Sequence, residues 1–156
     1  MSDSTAFQDS LHKENPIRGC YGCGADNPMG LRLKSFVEVD ESIARWRPQE
    51  HHCSYPGVLN GGIASMLLDC HSACSAVAFD YREKGLDPGL AADELPSGWT
   101  RAMNIEFLRP TPTDTELTLK ARVIKRGRKS RTVSCSIYAN GEECVRAEVI
   151  VVMAEN

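Results

Sequence analysis

The sequence predicts an α+β fold in which an antiparallel sheet curls round one long buried helix. Three observations carry this expectation. Residues 63–82 are dominated by Ala, Met, Leu, Cys, Val and Phe and contain no Gly or Pro. That run is too long for a strand and apolar nearly all round, so it reads as a helix buried on most faces. Four segments after it alternate apolar and polar residues with β-branched enrichment, as strands with one buried face do. The order is strand, strand, helix, then four strands, which lays the helix against a single sheet.

Residues 1–18 read as a polar arm, partly helical and partly frayed, and residues 19–156 as a single domain. Cys20–Gly30 is punctuated by Gly22, Gly24, Asn27-Pro28 and Gly30, a turn-rich segment. Residues 31–39 and 42–47 are strand candidates, with Asp40-Glu41 as the turn between them. Residues 53–62 contain Pro56, Gly57 and Gly61-Gly62 and read as a loop. The helix follows, then a loop over 83–98 that holds Gly85, Pro88, Gly89, Pro96 and Gly98. The four late strands are expected at 99–108, 116–125, 130–138 and 142–153. Asn140-Gly141 is a strong hairpin signal, because both residue types tolerate positive φ. Arg109-Pro110-Thr111-Pro112 cannot join a central ladder and is a connection.

The chain has 156 residues, enough for one domain with a real core, and a formal net charge of −3. This balance does not suggest a nucleic-acid partner. No stretch approaches the ~20 apolar residues that span a bilayer, and Met1–Ser10 lacks a signal-peptide apolar region. The expected address is the cytosol, with no membrane partner. The seven cysteines are then expected as free thiols, several of them small core hydrophobes such as Cys70, Cys74 and Cys135.

The run Tyr55-Pro56-Gly57-Val58-Leu59-Asn60-Gly61-Gly62-Ile63-Ala64-Ser65-Met66-Leu67-Leu68-Asp69 resembles the signature of PaaI-like hotdog thioesterases. In that signature a Gly-Gly pair opens the central helix and an acidic residue stands eight positions after the first Gly. Met103–Pro110 and Val123–Arg128 resemble later segments of the same family, and Cys20–Gly24 with Asn27–Leu31 recurs in one branch of it. The resemblance covers most of residues 20–153. It implies the hotdog fold and the hydrolysis of an acyl-CoA thioester without a cofactor beyond the coenzyme A of the substrate. It also implies a homodimer, or a dimer of dimers, with sites shared between chains. Three positions depart from the family pattern. Asn60 replaces a common His, Cys70 a common acidic residue, and Ser54 an Asn or Gly.

Thioester hydrolysis needs donors for a developing oxyanion and a base or nucleophile beside it. Gly61 and Gly62 at a helix start present backbone N–H groups without intrahelical partners, aided by the helix dipole; alternatively they form only a tight turn into the helix. Asp69, within Met66-Leu67-Leu68-Asp69-Cys70, is expected to have a raised pKa and to act as general base or as nucleophile. Its alternative is a carboxylate on an exposed or interfacial face, paired with Arg or a hydroxyl. By the resemblance, Thr100 occupies a position that orients water in some relatives. Ser54 is a candidate contact for the thioester carbonyl, and Asn60 a candidate substrate contact.

Residues 120–131 carry seven Lys or Arg, of which Arg126, Arg128 and Lys129 are candidate partners for the phosphates of coenzyme A. A solvated basic hairpin is the alternative. Cys20-x-x-Cys23 resembles half a zinc knuckle, but His51, His52 and Cys53 do not complete a standard spacing, so no metal is expected. His71 lies about 200° round the helix from Asp69 and is expected as a core or interface histidine. Departures at Asn60 and Ser54 leave a second function open, a non-catalytic acyl-CoA binding or sensing protein on the same fold.

Overall fold

In a computed structural model of the chain, which describes residues 5–154, the late strands and the long helix lie close to where the sequence puts them. The elements in chain order are α1 (Phe7–Ser10), β1 (Ser35–Val37), β2 (Ser42–Trp46), β3 (Cys53–Tyr55), β4 (Val58–Leu59), α2 (Gly61–Lys84), β5 (Ser97–Phe107), β6 (Leu117–Arg126), β7 (Ser130–Ala139) and β8 (Glu142–Ala154). Six strands form one sheet in the order β1-β2-β6-β7-β8-β5, and β3 pairs with β4 alone. Every pairing is antiparallel.

The sheet buries the alternating set that the period of two demands. Leu117, Leu119 and Ala121 of β6, Val133, Cys135 and Ile137 of β7, and Val145, Ala147, Val149 and Val151 of β8 are all buried. Against them lies α2, which contributes Leu67, Leu68, Cys74 and Ala76 to the same core. Asn60 caps the start of α2 through its side chain. Gly85, at φ 66°, ends it, and the Leu86 N–H returns to Tyr81 O at 2.9 Å. The helix is nearly enclosed, so its weak amphipathicity follows from its place. By length and composition alone α2 is apolar enough to cross a bilayer, which corrects the sequence expectation. Its apolar residues instead pack against the sheet.

His71 is fully buried. One ring nitrogen lies 2.8 Å from Ser35 Oγ and the other 3.0 Å from Ser42 O, so it ties α2 to β1 and β2. Burial lowers its pKa to about 4. Arg131 of β7 reaches Asp80 of α2 at 2.6 Å, with the Asp80 carboxylate almost wholly buried.

Three expectations on extent are revised. The first strand spans only 35–37 rather than 31–39, because Leu31 and Leu33 donate their N–H groups to Tyr21 O and Gly22 O of the preceding loop. The loop over 53–62 contains the short β3–β4 hairpin. Of the expected arm, residues 1–4 lie outside the described residues; Phe7 and Leu11 are buried in the main core. A 3-10 turn follows at Pro16–Gly19.

Candidate active site

Two elements position the candidate site, α2 and the edge strand β5. Asp69 sits in the third turn of α2, half-buried. Its carboxylate accepts a hydrogen bond from the Thr100 hydroxyl on β5. The structure therefore brings together two residues 31 positions apart, the hydroxyl pairing that the alternative reading of Asp69 named. A hydroxyl on one carboxylate oxygen restrains its rotamer, and among the described residues no donor meets the second oxygen.

Gly61 and Gly62 open α2 as expected, but their amides are not equivalent. Asn60 Oδ1 accepts from Gly62 N at 2.8 Å and from Ile63 N at 3.2 Å. Among the described residues no acceptor meets the Gly61 N–H, which makes it the amide left for a ligand. Asn60 thus serves first as helix cap, and only its amide NH2 remains for substrate. The Phe107 ring, at the far end of β5, lies 3.5 Å from where a Cβ on Gly61 would stand. Ser54 is exposed on β3, with its hydroxyl 3.5 Å from Val58 O.

An apolar cavity of about 350 Å³ lies further along α2 and β5; neither Asp69 nor Thr100 lines it. Its lining includes Ala73, one helical turn beyond Asp69, and Gly98, two residues before Thr100 on the same strand face. Val77, Leu95 and the arm residues Phe7 and Ile17 complete much of the wall. A Cβ on Gly98 would meet Val77 Cγ2 at 2.7 Å, so glycine there lets strand and helix close the end of the cavity.

The basic residues do not form one cluster. Arg126 pairs with Glu83 at 2.5 Å and lines a cleft with Phe79 and Arg122. Arg128 and Lys129 line another, of about 610 Å³, with Lys84, Trp99 and Arg131. Arg131 is committed to Asp80, a structural pair invisible in the charge count.

The sequence reading missed the partners of the Cys20-x-x-Cys23 pair. His52 faces Trp46 and accepts the Gln49 N–H at 2.8 Å. The sulfurs that approach are those of Cys70 and Cys74 on α2. Their i,i+4 spacing on one helix face was the available signal.

Comparison with known proteins agrees with this architecture. Residues 51–152 match the family model described as the acyl-CoA thioesterase N-terminal domain. A thioesterase superfamily protein from Shewanella loihica PV-4 is 31% identical, with a TM-score of 0.63 over 79% of this chain and 91% of that one. A phenylacetic acid degradation-related protein from Ralstonia eutropha JMP134 shares the fold at 22% identity, with a TM-score of 0.62 over 78% of this chain and 85% of that one. Mouse acyl-coenzyme A thioesterase 13 is 27% identical over 89 residues, which are 57% of this chain. The match spans about half of that curated relative, 54% of its length. With residues 51–152 matched and the helix-on-sheet architecture in place, the chain belongs to the acyl-CoA thioesterase family and has its hotdog fold.

Proposed function

We propose that this chain hydrolyses an acyl-CoA thioester in the cytosol, using Asp69 as general base or nucleophile. The observation that carries the reading is the Asp69–Thr100 pair, with an apolar cavity opening one helical turn further along α2. The cavity suits the acyl or aryl group, and it begins one helical turn beyond Asp69, at Ala73. The helix N-terminus supplies the oxyanion donors, chiefly the Gly61 amide. Attack by water or by the carboxylate releases the coenzyme A thiol, and no cofactor is required.

The site is proposed to be shared between two copies. Eight helical residues set Gly61 and Asp69 about 12 Å apart along the axis, whereas an oxyanion donor and an attacking group must both lie ~3 Å from one carbonyl. A second copy related by a two-fold axis closes that gap. The free ladder edge of β5, 11 residues long, supports this arrangement. Trp99 and Phe107 stand exposed along it, and long exposed edges are usually paired or covered. Antiparallel pairing of two copies about the strand midpoint would carry each α2 start toward the other copy's Asp69.

Arg128 and Lys129 are proposed to meet the phosphates of coenzyme A, with Trp99 at the rim of the same cleft. One observation favours the second reading, binding without catalysis: Gly62 N is already satisfied by Asn60. A panel of acyl-CoAs, with thiol release and equilibrium binding both measured on the wild type, separates the two. Turnover well above the uncatalysed rate supports hydrolysis. Stoichiometric binding with no turnover on any ester contradicts it.

A further inference from the structure

Four cysteines with no part in the proposed chemistry converge between the loop at 20–24 and the middle of α2. Cys20 Sγ lies 3.9 Å from Cys70 Sγ, and Cys23 Sγ lies 3.7 Å from Cys74 Sγ. The sulfurs of Cys20, Cys23 and Cys70 all fall within 4.8 Å of one another. A tetrahedral tetrathiolate ion with metal–sulfur bonds of about 2.3 Å has sulfur–sulfur edges of about 3.8 Å; the two close contacts match that edge, while Cys74, near Cys23 but outside the 4.8 Å group, has to close in to complete the set. The chain order is also that of a metal site, a C-x2-C turn followed by an i,i+4 pair from one helix face.

The loop is built for this approach. A Cβ on Gly22 would stand 2.3 Å from Cys70 Sγ, and one on Gly24 would stand 2.5 Å from backbone atoms of Arg18 and Cys20. Only glycine lets the turn sit so close to the helix. The turn is held by Gly24 N to Cys20 O at 2.8 Å and Leu33 N to Gly22 O at 3.1 Å. Cys20 is only partly buried while the other three are buried, so an ion has a path in from solvent.

We propose that Cys20, Cys23, Cys70 and Cys74 form a closed thiolate site for a borderline-soft divalent ion of the zinc class. Each thiol that enters protonated releases its proton to solvent on binding. Four thiolates leave no open position, so the ion is structural. It staples the 20–24 turn to α2, and through it the arm whose Phe7, Leu11 and Ile17 wall the apolar cavity that Cys74 also lines.

The test is a titration of the reduced, metal-free, full-length protein with Co(II), followed by displacement with Zn(II). The expected result is saturation at about one ion per chain, with the thiolate charge-transfer and visible bands of a tetrahedral Co(II) site. Those bands should be absent in Cys23→Ser/Cys70→Ser and retained in Cys53→Ser. Where the double variant does not fold, the wild-type spectrum and its loss on Zn(II) addition decide alone. No thiolate bands in the reduced wild type would overturn the proposal, as would bands that persist in the folded double variant. An air-oxidised protein whose mass is short by two hydrogens per bridge, and which takes up no ion after reduction, would assign the cluster to disulfide chemistry instead.

Discussion

At the scale of single residues, the proposed chemistry rests on the pair Asp69–Thr100. The Thr100 hydroxyl occupies one carboxylate oxygen, so the other is aimed rather than free to rotate. Thr100→Val keeps the shape and removes the donor. A hydrogen bond to a charged acceptor is worth about 1.5–3 kcal/mol, so kcat should fall about 10-fold or more with KM changed little, as steady-state kinetics would show. A larger effect on KM than on kcat would assign Thr100 to binding. Asp69 and Thr100 were both legible in the sequence through the family pattern. The sequence did not reveal that Asn60 takes the Gly62 amide, because Asn60 is equally plausible as cap or ligand until its backbone conformation is known. The Cys70–Cys74 half of the thiol cluster was hidden for a related reason. Inside an apolar helix, cysteine reads as a small hydrophobe unless the facing loop is seen.

At the scale of elements, α2 and β5 carry much of the cavity wall and the residues proposed for the chemistry. Ala73 and Val77 point into the cavity from successive turns after Asp69. Ala73→Phe should fill the end next to the carboxylate, raising KM for bulky acyl-CoAs at least about 10-fold while sparing acetyl-CoA. Equal effects on both esters would place the acyl group elsewhere. A second prediction concerns the join between α2 and β7. Arg131→Met leaves the buried Asp80 carboxylate with only Lys84 at 3.0 Å, and should cost about 3 kcal/mol in urea unfolding. Asp80→Asn combined with Arg131→Met should recover part of that loss, because no buried charge is then stranded. Among the elements, the late strands and the Asn140-Gly141 hairpin were the most legible. Asn140 and Gly141 both adopt positive φ, at 51° and 78°, as a two-residue turn of this type requires. The stretch 31–34 was misread as strand because its alternation is real. Leu31 and Leu33 are buried, but their amides bond to the cysteine loop instead of a neighbouring strand.

At the scale of the whole molecule, one chain presents half of each proposed site, and no single-chain pattern shows where the other half comes from. The β5 edge and the Gly61–Asp69 separation point to a two-fold pair, which sedimentation should report as a dimer or a multiple of it. Complementation tests the sharing. Gly61→Pro removes the free amide at the first helical position, where proline is well tolerated, and Asn60 ahead of it is already extended at ψ 131°. That variant should lose about 10²–10³-fold in kcat, and Asp69→Asn should be inactive on its own account. Heterodimers of the two should regain up to one working site of two; folded heterodimers that stay inactive would refute sharing. The clefts at the C-terminal end of α2 carry a further prediction. Arg128→Ala/Lys129→Ala should raise KM for a coenzyme A ester far more than for the matching pantetheine ester, whereas Arg126→Ala, whose guanidinium is held by Glu83, should separate them less. The central claim, that Asp69 performs thioester hydrolysis, is met most directly by kcat/KM for thiol release in wild type and Asp69→Asn, with folding matched by circular dichroism. General-base catalysis is worth ~10²–10⁴-fold, so the account predicts a loss of at least about 100-fold; retention of more than about a tenth of wild-type kcat/KM would contradict it.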